Sequence, residues 1–174
     1  AHYFRDGMEI VVPSMRRTSP DSLTPRAKTH NYMNLMLAHE EVRRQNANAW
    51  AILLDANGNL SEGVGSNLFL VAEGVIYTPQ DRFVLCGVSR GTAIDLAEAA
   101  GFEVVRADLD LYDAYTADEA FITSTSFCIV PVKSVNGIEI GHGKVSGPVT
   151  KQLTDAYVDY VDHDFVAQYL NHLD

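Results

Sequence analysis

Residues 49–79, "AWAILLDANGNLSEGVGSNLFLVAEGVIYTP", decide the fold class. Short apolar runs alternate with turn signals at Asn57-Gly58 and Glu73-Gly74, a pattern that predicts a β-meander. Immediately upstream, residues 26–45, "RAKTHNYMNLMLAHEEVRRQ", change period. From Asn31 to Gln45 the apolar residues Tyr32, Leu35, Met36 and Val42 fall near one helical face, with Glu40, Glu41, Arg43 and Arg44 largely off it. Further upstream, PSMRRTSPDSLTP is broken by Pro13, Pro20 and Pro25 and predicts an irregular connector, preceded by a strand over MEIVV, residues 8–12.

Downstream of the meander, residues 89–100 predict a second helix, with Ser89 near its start and Gly101 as its stop. A strand over FEVVRA and a short helical turn at Leu111–Thr116 follow. EAFITSTSFCIVPVKSV, residues 119–135, predicts two strands flanking a hydroxyl-rich break, and Asn136-Gly137 turns the chain into GIEI. Val149 to Tyr169 predicts a third main helix. The sum is an α+β domain whose mostly antiparallel sheet can curl into a barrel, flanked by helices.

Composition narrows the function classes. The 174 residues suffice for one domain with a sizeable core. Hydrophobic residues at 47% and charged residues at 21% are the balance of an ordinary globular protein, not of a disordered one. A net charge of −10, with no basic run beyond Arg16–Arg17 and Arg43–Arg44, argues against nucleic acid as a partner. No apolar stretch approaches the roughly 20 residues that span a bilayer, so no membrane partner is expected. Cys86 and Cys128 are too few for a disulfide framework and point to a reducing, cytoplasmic setting. The histidines are scattered, His163 and His172 being the nearest approach to a pair, and no metal site is expected. The opening AHYFRDG has neither a signal-peptide layout nor a start methionine, so a cut upstream is expected.

Four local features carry possible chemistry. Lys28 precedes a helix, Glu62 sits among turn glycines, Gly87-Val88-Ser89 opens the second helix, and Thr123–Ser126 interrupts two strands. Each has an ordinary explanation: a solvated lysine, a polar turn, a serine cap, a strand break that satisfies its own backbone. Together they meet one chemical need. An amine can form a Schiff base with an aldehyde, a carboxylate can keep a pyridine nitrogen protonated, and helix-start N–H groups with nearby hydroxyls can hold a phosphate. Those are the parts of a pyridoxal-phosphate site.

The order and wording of four segments make the match specific. "RAKTHNYMNLMLAHEE", "ILLDANGNLSEGVGSNLFLVAEGVIYTP", "LCGVSRGTAIDLAEAAGFEV" and "ADEAFITSTSFCIVPVKSVNGIEIGHGKVSGPVTKQL" resemble, in that order, the class IV aminotransferases. These are fold-type IV pyridoxal-phosphate enzymes, and the wording stands nearest to the branched-chain amino acid aminotransferases.

The resemblance implies a role for each matching residue. Lys28 is implied as the lysine bonded to pyridoxal 5′-phosphate and as the catalytic proton carrier. Tyr32 is implied to face the cofactor's phenolic oxygen and Glu62 its ring nitrogen. Gly87, Val88 and Ser89 are implied at the phosphate, with Thr125 and Ser126 touching both phosphate and the substrate carboxylate.

The resemblance also implies a homodimer or higher homo-oligomer. Its partners would be an amino acid, branched-chain or otherwise apolar, and a 2-oxo acid. Residues 1–27 would be the end of a small domain and its connector, and 28–174 the large cofactor-binding domain. The resemblance further implies a phosphate-gripping arginine in that small domain, almost all of which is expected to be missing from these residues. Phe127-Cys128 departs from the Ala/Ser-Glu common in branched-chain and D-amino acid enzymes. Three alternatives stay open on the sequence: an aminodeoxychorismate-type lyase, a D-amino acid or (R)-amine transaminase, and a cofactor-free fragment serving only as a structural or interaction module.

Overall fold

The structure is a computed structural model that describes residues 2–141 and 145–172, the side chain of His172 excepted. Of His163 and His172, the nearest approach to a histidine pair in the sequence, the second side chain lies outside the described residues. In chain order the elements are α1 (His2–Asp6), β1 (Met8–Val11), α2 (Met33–Gln45), β2 (Trp50–Leu54), β3 (Leu60–Gly63), β4 (Ser66–Ala72), β5 (Val75–Pro79), α3 (Val88–Ala99), β6 (Val104–Ala107), α4 (Leu111–Thr116), β7 (Glu119–Ser124), β8 (Cys128–Val135), β9 (Ile138–Glu139), α5 (Pro148–Val161) and α6 (Phe165–His172).

Six strands close on themselves in the order β3-β2-β1-β8-β7-β4, with β3 pairing back to β4, and β5 and β6 extend the sheet beyond β4. Most pairings are antiparallel, but β1 runs parallel to both β2 and β8, and β5 runs parallel to β6. β1 lies on the connector side of the boundary expected at Lys28, yet it is one of the six barrel strands and buries Met8 and Ile10.

Period-two alternation sorts the side chains into two cores. Leu68 and Leu70 of β4 and Ile122 of β7 join Met8, Ile10, Ile52 and Val132 within the barrel. Their outward neighbours Phe69, Val71 and Phe121 pack under Ala93, Ile94 and Ala97 of α3 and Leu153 and Tyr157 of α5. The Phe69 and Phe121 rings stack at 4.7 Å. Two-residue turns set the hairpin registers. Glu73-Gly74 and Asn136-Gly137 both have positive φ at each residue, the mirror-image turn that suits the right-handed twist of paired strands. Glu73 tolerates the left-handed region with its N–H donated to Asp118.

Several expected elements shift. The first helix begins at Met33 rather than Asn31, and Met36, expected on the buried face, is 52% exposed. Leu35, Ala38 and Val42 make the buried face against Ala51 and Leu53 of β2. Only Ile138–Glu139 of GIEI pairs. The single helix expected over Val149–Tyr169 is two helices. Asp162 enters the left-handed region and ends α5, and the Asp164 carboxylate accepts from Ala167 N–H to start α6.

Candidate active site

Lys28 and Tyr32, from the approach to α2, and Glu62, from β3, line one cavity together with Arg17, Leu35, Gly63, Gly65 and Leu85. Lys28 lies on the exposed approach to α2, and its Nζ donates to Tyr32 Oη at 3.0 Å. Tyr32, the residue that opens α2, is fixed there with its carbonyl accepting from Met36 N–H. Glu62 projects from β3, a strand held on both sides by β2 and β4, and its side chain is 5% exposed.

Two donors meet the Glu62 carboxylate. Arg17 Nε donates to Oε1 at 2.9 Å, and the Leu85 N–H donates to Oε2 at 2.8 Å. Burial raises the Glu62 pKa above its ordinary value, and the Leu85 N–H and the guanidinium of Arg17 oppose that rise by favouring the charged form. Arg17 is itself anchored by its N–H to Leu54 O at 2.8 Å. A pair this buried holds its geometry because neither side chain can trade its partner for water.

Leu85 ties this group to the start of α3. The Asn67 side chain donates to Leu85 O, and its Oδ1 would lie 2.6 Å from a Cβ at position 87. Gly87 therefore lets the strand and the helix start approach closely. No side chain caps α3, so its first N–H groups, at Val88 and Ser89, have no intrahelical partner. Val88 is exposed and Ser89 is buried.

Thr125 and Ser126 sit, both exposed, on the turn between β7 and β8. Thr123, at the end of β7, pairs directly with Asn67, which places this turn one strand away from the α3 start. The eight residues expected at a site thus fall on one end of the barrel as two groups: the Lys28–Tyr32–Glu62 cavity, and the α3 start with the β7–β8 turn.

The profile of the Amino-transferase class IV family matches residues 1–135. The chain belongs to that family. Over 158 residues this class IV chain is 38% identical to the branched-chain-amino-acid aminotransferase of Pseudomonas aeruginosa, covering 90% of itself and 51% of that protein. The solved Escherichia coli branched-chain amino acid aminotransferase superposes with a TM-score of 0.86 at 38% identity, covering 91% of this chain and 52% of that one. The branched-chain amino acid aminotransferase of Thermobaculum terrenum, solved in its PLP-form, gives a TM-score of 0.83 at 34% identity, over 95% and 55% of the two chains. The class IV chain spans about half the length of the relatives it matches.

The sequence does not single out Arg17, Asn67 or Leu85. Arg17 stands there only as half of a basic pair in a proline-rich connector, 11 positions before Lys28. Leu85 acts through its backbone, which no side-chain pattern reports. Asn67 carries a weak signal, the second of two polar residues that lead into the apolar run of β4.

Proposed function

We propose that this chain is the cofactor-binding part of a pyridoxal-phosphate-dependent transaminase acting between an apolar, branched-chain amino acid and a 2-oxo acid. One observation carries the reading: Lys28, Tyr32 and Glu62 converge on a single cavity, with the carboxylate locked by Arg17 and Leu85. An amine, a hydroxyl and a buried carboxylate fit the cofactor's aldehyde carbon, phenolic oxygen and ring nitrogen. The uncapped α3 start beside Thr125 and Ser126 fits its phosphate. The cavity is small, about 30 Å³, and Lys28 on its lining is exposed, so a bound ring would extend beyond it.

When bound, pyridoxal phosphate supplies an aldehyde that takes up amino groups and a ring that stores the electron pair left when a proton departs from the substrate Cα. Lys28 Nζ would bond the aldehyde carbon at rest and, once displaced by the substrate amine, receive and return the Cα proton. Tyr32 Oη, at 3.0 Å, orients that nitrogen. Glu62 would hold a proton on the ring nitrogen. Its two protein donors occupy one lone pair on each oxygen and leave others free to accept. Thr125 and Ser126 would present hydroxyls to the phosphate and to the substrate carboxylate.

The exposed apolar residues Met33, Met36 and Leu37 of α2, beside this site, support assembly as a homodimer. The two free cysteines support a cytoplasmic setting. Among the described residues no helix is long and apolar enough to cross a membrane.

The test is reductive trapping. Borohydride added in the presence of pyridoxal 5′-phosphate should fix the cofactor on Lys28, read as a mass increase on one peptide. The same protein should exchange amino groups between leucine and a 2-oxo acid. Labelling spread over Lys133 and Lys151, or no labelling, would sink the proposal.

A further inference from the structure

The turn carrying Thr125 and Ser126 is braced from two directions, one of them by the last helix. From inside, Ser124 Oγ lies 3.0 Å from Ser126 Oγ, and the Ser126 N–H points at Ser124 Oγ at 3.4 Å. That brace is weak, and the turn is under strain. Cys128, where β8 begins, has φ +57°, a left-handed backbone that a non-glycine residue adopts reluctantly. From outside, Tyr169 of α6, 43 positions away, donates its hydroxyl to Ser126 O at 2.5 Å.

The aim of Tyr169 is set by packing. Its ring lies 4.9 Å from the Phe4 ring of α1, and Phe4 also lies 6.1 Å from the buried ring of Phe165. Phe165 in turn meets Tyr157 of α5 edge-on at 5.9 Å. A phenylalanine would complete this aromatic block equally well. The hydroxyl is what reaches across to the turn.

We propose that Tyr169 is a positioning residue for anion binding: by gripping the Ser126 carbonyl from α6 it holds Thr125 and Ser126 in the shape that receives a phosphate monoester. The inference rests on the cofactor reading above, in which these two residues meet the phosphate. It assigns a task to α6, which among the described residues contributes none to the cavity or the α3 start. The hydrogen bond spans the chain from the turn after β7 to the last described element, so the receptive turn depends on α6 being docked.

Tyr169→Phe in the full-length protein tests this, because it keeps the ring and removes only the hydroxyl. Two ligands are titrated by absorbance: pyridoxal 5′-phosphate and pyridoxal, which lacks the phosphate. Hydrogen exchange of amides 124–128 is followed by mass spectrometry. The variant should bind pyridoxal 5′-phosphate about tenfold more weakly, roughly the worth of one hydrogen bond. It should bind pyridoxal as the wild type does, and the turn amides should exchange severalfold faster. Equal weakening for both aldehydes would reveal a merely structural tyrosine and overturn the proposal. So would unchanged phosphate-ester affinity, or unchanged exchange at the turn. A wild-type protein that takes up neither aldehyde overturns the cofactor reading and this proposal with it, whereas normal uptake by both proteins overturns this proposal alone.

Discussion

Arg17 Nε and Glu62 Oε1 lie 2.9 Å apart with their side chains 11% and 5% exposed, although 45 positions separate them. Removing one member strands a buried charge. Arg17→Ala should therefore destabilise the fold by roughly 3–5 kcal/mol, the range for breaking a buried pair. Glu62→Gln should cost less, because an amide keeps an acceptor for Leu85 or Arg17. The double variant should recover most of the Arg17→Ala loss. Urea unfolding of the four proteins measures this. An Arg17→Ala change below about 1 kcal/mol, the size of an exposed pair, would show that the pair does not hold the site.

The same carboxylate makes stability depend on pH. Burial raises Glu62 above its ordinary 4.5, so the folded chain holds this proton more tightly than the unfolded chain does. The contribution of Glu62 is full below about 4.5 and is lost as pH rises through the higher folded value. Glu62→Gln should flatten that part of the stability profile, and Arg17→Ala should move the loss to higher pH by removing an opposing cation. Thermal unfolding between pH 4 and 8 reads both effects; superimposable profiles for wild type and Glu62→Gln would refute the assignment.

Gly87→Ala places a methyl group 2.6 Å from Asn67 Oδ1. Either the helix start moves or Asn67 releases the Leu85 carbonyl. Overpacking of this kind costs about 1–3 kcal/mol, and here the shift falls where Leu85 N–H meets Glu62. Affinity for pyridoxal 5′-phosphate should fall at least about tenfold, on the scale of 1.4 kcal/mol per decade. Gly91→Ala in the same helix meets nothing within 4 Å and is the control, expected to bind normally.

Glu119 does for α5 what no side chain does for α3. Its carboxylate accepts from the N–H groups of Val149 and Thr150 at 2.9 and 2.8 Å and is 8% exposed. Glu119→Ala should destabilise by about 1–2 kcal/mol through the lost cap and charge–dipole term. Glu119→Gln should retain part of it. Equal stability of wild type and Glu119→Ala would exclude a capping role.

The β4–β5 and β8–β9 hairpins were legible because their turn chemistry is local: Glu73-Gly74 and Asn136-Gly137 state their conformation in two residues. The α2 and α3 helices were legible from apolar spacing and from Gly101, whose φ of +87° follows the end of α3. Barrel closure was only suggested, since the pairing of β1 with β2 and β8 links residues 10, 50 and 135 through contacts no short window contains. The break at Asp162 escaped because an aspartate in the left-handed region is a tertiary outcome. At the site, Lys28, Tyr32 and Glu62 were nameable from motif wording, and the cavity brings them together. Arg17 was not, because its value comes entirely from where Leu54 O holds it.

The position of β1 has a kinetic consequence. It precedes the other described strands, yet its neighbours are residues 50–54 and 128–135, so its pairing on the second side is impossible until β8 exists. Closing such long loops comes late, since their entropy must be met before the contacts form. Insertion of β1 should therefore be the final event of folding and its withdrawal the first event of unfolding. Ile10→Val, which trims a side chain 1% exposed in the barrel, should speed unfolding while leaving the folding rate nearly unchanged. The opposite pattern in stopped-flow kinetics would place this strand in the nucleus instead.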